Sequence, residues 1–298
     1  MYTGQKINEK NTNQLQQYSQ KSMHVKPPQN LNLYKLRKLP FYENIEEIIK
    51  LTLLNSSNDK CTLVNHLTGM REYVFTFNMS IDQINIISSN RDISKTIPEY
   101  PYQYQIRLCQ IELGRFEVTD YFPSQLNVRV GDTPCPTYPN ERSKSRRTAS
   151  PINCTHELKL SPFFTNLIKV NWVPDGKIYG ITMNLVKQLS ADNLIKKLQD
   201  KEARSSEDTK HQIIKKFTCV NPDLACTSHQ FSLLCPLSKN RMKLPAKSVH
   251  CDHIMCFDAD TFIRMNEKNS KWLCPICNAP CVYDDNNILI NADGSWEK

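Results

Sequence analysis

Two short stretches hold the side chains best suited to bind a metal: CDHIMC at residues 251–256 and WLCPIC at residues 272–277. Thiolate sulfur and imidazole nitrogen are the donors zinc prefers, and a structural zinc site closes with four of them. A Cys-x-His pair and a Cys-x2-Cys pair at this separation supply that number, so Cys251, His253, Cys274 and Cys277 are read as ligands of one zinc ion. The setting agrees with metal chemistry. The first twenty residues are polar with no secretory h-region, and no apolar run is long enough to span a bilayer. Of the twelve cysteines, five crowd between Cys251 and Cys281. In the reducing compartment this implies, clustered thiols point to metal rather than to disulfides.

The full spacing is C-x15-C-x-H-x2-C-x17-C-x2-C, from Cys235 through Cys277. A cross-braced RING interleaves eight ligands around two zinc ions. Overlaid on that order, the second site is complete, but the first retains only Cys235 and Cys256, because Ala259 stands where its next ligand would be. Two thiols do not close a zinc site. One zinc is therefore expected to be kept and the other replaced by packing, with Leu233, Leu234, Leu237, Leu244, Val249, Phe257, Phe262 and Ile263 as the packing residues. Cys235, Cys256, Cys281 and the six cysteines before Cys235 are read as small buried hydrophobes.

The elements that must position this site follow from patterning. At 298 residues and 39% hydrophobic composition the chain can bury a sizeable core, and its length suggests two domains. Residues 1–30 are rich in Asn, Gln and Lys and read as a flexible polar tail. Residues 31–190 are patterned mainly as strands. In PYQYQIRLCQ, Tyr102, Tyr104, Ile106 and Leu108 alternate with Gln103, Gln105, Arg107 and Cys109, the period of a half-buried strand, and QLNVRVGD repeats it. LIKVNWV and KIYGITMNLV flank Pro174-Asp175-Gly176 and read as a hairpin. FYENIEEIIKLTLL, with Phe41, Ile45, Ile48 and Ile49 at helical spacing, predicts a helix against this β-rich domain. TPCPTYPNERSKSRRTASP reads as an exposed loop carrying Arg142, Lys144, Arg146 and Arg147. Residues 191–218 form a helical connector, capped by Ser190 ahead of Leu194, Ile195 and Leu198, with a weaker arrangement at Ser205 and Asp208. Residues 219–298 are the zinc-finger domain. The fold class is α+β: a β-rich domain, a helical connector and a small single-zinc RING-like domain.

The formal net charge of +8 suits acidic partners. No nucleophile stands with a base, since the cysteines near His253 are committed to zinc.

Residues 231–283 resemble the SP-RING, or Miz-type, finger of the PIAS and Siz family of SUMO ligases. The resemblance extends upstream through LPFYENIEEIIK, YQIRLCQIE, PINCTHELKLSP and VKQLS to that family's PINIT domain. Pro151, Ile152, Asn153, Cys154 and Thr155 stand at the name-giving motif, with Cys154 in place of isoleucine. This implies a nuclear SUMO-protein ligase whose partners are a SUMO-conjugating enzyme, SUMO and protein substrates of nuclear or transcriptional kind. Such a ligase works by positioning: the thioester stays on the conjugating enzyme, and the ligase holds it and the acceptor lysine in reactive geometry. By analogy with RING surfaces, the resemblance nominates Pro236, Leu237, Trp272, Pro275 and Ile276 as contacts of the conjugating enzyme. The PINIT domain is implied to choose substrates. The SAP domain with which family members commonly begin has no counterpart, so DNA binding is not carried over, and a membrane role is not expected. A SUMO-interacting segment has at most a short counterpart in Ile288, Leu289 and Ile290. The alternatives are a non-catalytic nuclear adaptor or transcriptional co-regulator on the same fold, and a ubiquitin ligase of RING or U-box type, against which the single zinc and the PINIT-like region argue.

Overall fold

The computed structural model describes residues 28, 30–54, 61–94, 96–136, 149–200, 207, 210, 211, 214, 232–281, 283 and 288–290. The polar tail, the basic residues Arg142, Lys144, Arg146 and Arg147, and the capping arrangement at Ser205 and Asp208 lie outside them. The architecture is α+β, and the chain divides into two compact units. One takes residues up to Arg37 and Asn44–Val186; the other takes Lys38–Glu43 and everything from Lys187 onward.

Besides a short parallel pair, β1 (Lys35–Leu36) with β6 (Glu117–Val118), the first unit is built on two larger sheets. One holds β3 (Cys61–Asn65), β4 (Met70–Phe77), β10 (Asn166–Val173), β7 (Ser124–Val130) and β8 (Thr133–Pro134), hydrogen-bonded in that order. The other holds β2 (Tyr42–Leu54), β11 (Tyr179–Gln188), β5 (Tyr102–Gln110) and β9 (Ile152–Asn153). Alternate residues of both sheets fill a single core, among them Tyr73 and Phe75, Val128 and Val130, Ile168 and Val170, Tyr104, Ile106 and Leu108, and Ile181 and Met183. Helix α1 (Ile81–Ser89) adds Ile87 and starts in a reciprocal capping box between Ser80 and Gln83.

Three patterning expectations change. From Tyr42 onward FYENIEEIIKLTLL is strand β2, not a helix. Its apolar residues serve different cores: Ile48 and Ile49 pack on the first unit's core, Phe41 on the second's, and Ile45 is exposed. Spacing of three and four residues thus imitates a helical face where none exists. The Pro174-Asp175-Gly176 turn is present, with Gly176 at φ 81. Yet it links β10 in one sheet to β11 in the other, so the pair is no hairpin. Turn residues set the reversal of the chain and leave the choice of pairing partner to the core. β5 does alternate, but its second face is buried too. Gln103 and Gln105 are nearly inaccessible, and Arg107 forks onto Asp120 through Nε (2.9 Å) and Nη2 (2.8 Å).

Residues Pro151–Thr155 close this sheet's edge. Ile152 and Asn153 pair with Ile106 and Gln105. The Cys154 N–H donates to the Tyr104 carbonyl (3.0 Å) and the Tyr104 N–H to the Thr155 hydroxyl (2.9 Å). Thr155 in turn donates its hydroxyl to Asn153 Oδ1 (2.6 Å). Pro151 and Asn153 are half-buried; Ile152, Cys154 and Thr155 are buried. Cys109 and Cys135 are also buried, and burial is the first cause that pushes each thiol up to about 12, which keeps both neutral and inert. Cys61 is only partly buried, and Cys219 and Cys226 lie outside the described residues.

The second unit holds helix α2 (Ala191–Gln199), strands β12 (Pro245–Ser248) and β13 (Phe257–Asp258), helix α3 (Ala259–Lys268) and strand β14 (Ile288–Ile290). The strands form one sheet with β12 central, and Ile288–Ile290 pair with Ser248–Ala246. Helix α2 starts in a second capping box, Ser190 with Asn193, and buries Leu194, Ile195 and Leu198 as its spacing predicts. Those residues enter the same core as Phe257, Phe262 and Ile263. The Ala191 N–H donates to Glu267 of α3 (2.8 Å), and Tyr283 donates its hydroxyl to the Leu194 carbonyl (3.1 Å). No described helix is long and apolar enough to cross a membrane.

Candidate metal centre

Two loops with the same chemistry frame the site. The first follows Cys235: its N–H donates to the Asn240 carbonyl (2.8 Å), its carbonyl accepts the Lys239 N–H (2.9 Å), and Leu234 bridges to Arg241. The second repeats this around Cys274: its N–H donates to Ala279 (2.8 Å), its carbonyl accepts from Asn278 (2.9 Å), and Leu273 bridges to Pro280. In both, the fifth residue sits at positive φ, Lys239 at 58° and Asn278 at 61°. Each loop is Cys-Pro followed by an apolar residue, so Pro236 with Leu237 and Pro275 with Ile276 lie at the tips, all four half-buried.

Between β12 and β13 the chain brings Cys251 and His253 to the second loop. The ligand atoms of Cys251, His253, Cys274 and Cys277 all lie within 4.8 Å of one another. Cys251 Sγ is 3.6 Å from Cys277 Sγ, and His253 Nε2 is 3.2 Å from Cys274 Sγ. A tetrahedral ion with zinc–sulfur bonds of about 2.3 Å needs sulfur pairs roughly 3.8 Å apart, so these residues fit one zinc. The imidazole is oriented for it. Nδ1 lies 2.8 Å from the Met255 carbonyl, which can only accept, so the proton is assigned there and Nε2 faces the sulfurs as a donor to metal. Burial first, and then the neighbouring Cys277 and Cys274 thiols, push Cys251 up to about 12. Cys277, at the exposed rim, is held below its ordinary value, chiefly by the Ala279 N–H. Crowded thiols of this kind ionise together only around a cation, so metal binding releases protons. Among the described residues this is the one cluster of three or more His, Cys, Asp or Glu side chains with metal-binding geometry.

At the lost site, Cys235 is buried and its sulfur accepts the Asp258 N–H (3.3 Å); Cys256 is only partly buried. Of the packing residues named from sequence, Phe257, Phe262 and Ile263 are buried, and Leu233, Leu237 and Leu244 are partly so. Leu234 and Val249 are exposed instead. Leu234 bridges outward at the mouth of its loop, as Leu273 does in the other. Trp272 is withdrawn from solvent at 6% exposure, among Phe41, Phe262 and Tyr283, and so presents no free face to a partner.

Three positioning residues escaped sequence reasoning. Asp258 accepts the Leu244 N–H (3.1 Å) and the Thr261 hydroxyl (3.2 Å), tying the residue before β12 to α3. Asn266, fully buried, accepts the Trp272 N–H at 2.7 Å and donates to the Phe262 carbonyl at 2.9 Å. A polar residue four positions after Phe262, on the apolar stripe of its helix, was the signal available. Phe41 had no such signal.

A PINIT domain model matches residues 33–187 and a MIZ/SP-RING zinc finger model matches residues 231–280. Human E3 SUMO-protein ligase PIAS3 is 34% identical over 301 residues, covering 92% of this chain and 46% of its own. Rat E3 SUMO-protein ligase PIAS2 is 31% identical over 291 residues, covering 88% and 49%. The chain thus spans about half the length of the curated relatives it matches. Crystal structures of S. cerevisiae SUMO E3 ligases SIZ1 and SIZ2 share the fold, with TM-scores of 0.62 and 0.56 at 21% and 23% identity. They cover 87% and 85% of this chain, and it covers 84% and 88% of theirs.

Proposed function

Since the chain belongs to the PIAS and Siz family of PINIT and SP-RING proteins, we propose that it is a SUMO-protein ligase. It holds a SUMO-loaded conjugating enzyme and a protein substrate so that a substrate lysine meets the thioester in reactive geometry. The observation that carries this reading is the pair of matching Cys-Pro-apolar loops in the zinc unit. They offer half-buried tips for a partner, while Cys251, Cys274 and Cys277 beside them are gathered for metal rather than placed to carry an acyl group. Zinc, when bound, gathers the Cys251–His253 segment and the second loop into one rigid surface. Pro236, Leu237, Pro275 and Ile276 form the docking face for the conjugating enzyme. Trp272 contributes from beneath by fixing the root of the second loop. The first unit selects protein substrates, and the protein acts in the nucleus, on transcription-related substrates.

The test is a reconstituted transfer reaction with activating enzyme, conjugating enzyme, ATP and a lysine-bearing acceptor, run with SUMO and with ubiquitin components. Acceleration with SUMO alone is expected. Leu237→Ala and Ile276→Ala should each slow transfer by roughly tenfold or more while zinc content stays at wild-type level, as expected for residues near the centre of a docking face. No acceleration with either modifier, from zinc-loaded protein, would replace this reading with that of a nuclear adaptor.

A further inference from the structure

Residues Lys38–Glu43 lie in sequence between two stretches of the first unit, one ending at Arg37 and the other beginning at Asn44, yet fold with the zinc unit. Phe41 is the anchor. Its ring centroid lies 5.6 Å from that of Trp272, and it packs against the zinc unit's core. The Leu189 N–H donates to its carbonyl (2.8 Å), and Glu43 beside it lies 3.6 Å from Lys197 of α2. Both charges of that pair are about half exposed and contribute little, so the ring and the backbone bond hold the segment.

The residue that Phe41 meets stands two positions before Cys274, at the root of the metal-binding loop. Trp272 has φ 48, a conformation a bulky side chain keeps only when its surroundings over-determine it. Its backbone is held at both ends, the N–H by Asn266 (2.7 Å) and the carbonyl by Cys281 (2.7 Å). Its indole is walled by Phe262 (5.7 Å), Tyr283 (6.3 Å) and Phe41. The matching position in the other loop is Leu233, a half-buried side chain that carries no ring.

We propose that Phe41 is a positioning residue for conjugating-enzyme docking. Its ring braces Trp272, so that Cys274 and the tip residues Pro275 and Ile276 keep the geometry that receives the enzyme. This rests on the ligase reading above. Phe41 touches no reacting group and acts through Trp272.

The experiment compares the full zinc-loaded chain carrying Phe41→Ala or Phe41→Tyr with wild type, by two readouts. The first is hydrogen exchange at the Trp272, Cys274, Asn278 and Cys281 amides, which needs no conjugating enzyme. The second is transfer rate against conjugating-enzyme concentration. With alanine, exchange at those amides and the half-saturating enzyme concentration should each rise roughly tenfold, with the maximal rate within about twofold and first-unit amides unchanged. Tyrosine keeps the ring and should stay within about twofold of wild type on both. Should Phe41→Ala lose its zinc, Phe41→Leu, which keeps apolar volume without the ring, takes its place. Unchanged exchange overturns the brace. Raised exchange with unchanged half-saturation, or a tyrosine variant as impaired as alanine, overturns the positioning role. A wild-type chain that accelerates nothing sinks the ligase reading and with it the docking role, while the exchange comparison still decides whether Phe41 braces the loop.

Discussion

The loops after Cys235 and Cys274 share a hydrogen-bond pattern, a bridge at the mouth and a positive φ at the fifth residue, yet only the second contributes to a metal cluster. The difference that bears on metal is at the fourth residue: Ser238 stands where the other loop has the ligand Cys277. At Cys235, burial works to raise the thiol, but the N–H groups of Asp258, Ser238 and Leu237 and the Ser238 hydroxyl outweigh it and hold the group below its ordinary value. The loop backbone therefore turns donors toward its sulfur with or without a metal in reach. Metal is needed elsewhere. Residues 251–256 form no helix or strand, and their two ligands face the sulfurs of the second loop, where a shared ion would tie them down.

The comparison breaks most visibly if each leading cysteine is removed in turn. Cys274→Ser takes one of four ligands from the zinc, and a structural zinc contributes on the order of 10 kcal/mol, comparable to the whole stability of a small domain. Loss of bound zinc and loss of amide protection throughout the zinc unit are expected, with the first unit's amides unaffected. A protein that kept one zinc and a native melting profile would end the four-ligand assignment. Cys235→Ala should instead keep one zinc per chain. It leaves the buried Asp258 N–H without its acceptor, at a cost of about 1–3 kcal/mol in chemical denaturation. A fall in zinc content here would show that the two loops are not independent.

This division of labour was partly legible from residue order. Cys251, His253, Cys274 and Cys277 announce themselves because ligand geometry fixes their spacing, and Ala259 at the place of the sixth ligand pointed to packing around Cys235. That hydrogen bonds as well as packing would hold this place was not legible, since the Asp258 N–H reaches Cys235 across 23 residues. Helix α2 was visible through its Ser190 cap and its apolar stripe, both local signals. The strand over Tyr42–Leu54 was not, because its apolar residues and the preceding Phe41 answer to two cores, and a period of residues has meaning only when one surface reads it. For the same reason Trp272 invited a role at the docking face. An aromatic beside a metal-binding pair suggests a contact, and only the arrangement of Phe41, Phe262 and Tyr283 around it assigns the ring to the interior.

Ser238→Ala sharpens the comparison at smaller amplitude. It removes one of the donors that lower the Cys235 thiol, for a loss of about 0.5–1.5 kcal/mol, and zinc content should not change. The sign with pH follows from linkage. A thiol held below its unfolded value contributes stability that is fully present above that unfolded value and is lost as pH falls through the lowered, folded one. The stability difference between wild type and Cys235→Ala should therefore widen as pH rises toward and past the ordinary thiol value near 8.5, and narrow on the acid side. Ser238→Ala should flatten that dependence. A difference independent of pH across this window would mean that Cys235 remains a neutral thiol.

The smallest effect lies at the fifth residue, where the loops share a conformation but not a residue type. Lys239 and Asn278 both occupy the left-handed region. An ordinary side chain pays about 1–2 kcal/mol there, whereas asparagine visits it routinely and glycine without steric cost. Glycine also brings about 0.5–1 kcal/mol of added chain entropy in the unfolded state, which offsets part of any relief. Lys239→Gly should thus come out more stable by about 0.5 kcal/mol, and Asn278→Gly neutral to slightly less stable, in paired thermal melts at saturating zinc. Neither change touches a ligand or a loop tip, so transfer rates should be those of wild type. If both substitutions destabilised equally, the two loops would differ in more than their metal, and the equivalence of their backbones would be only apparent.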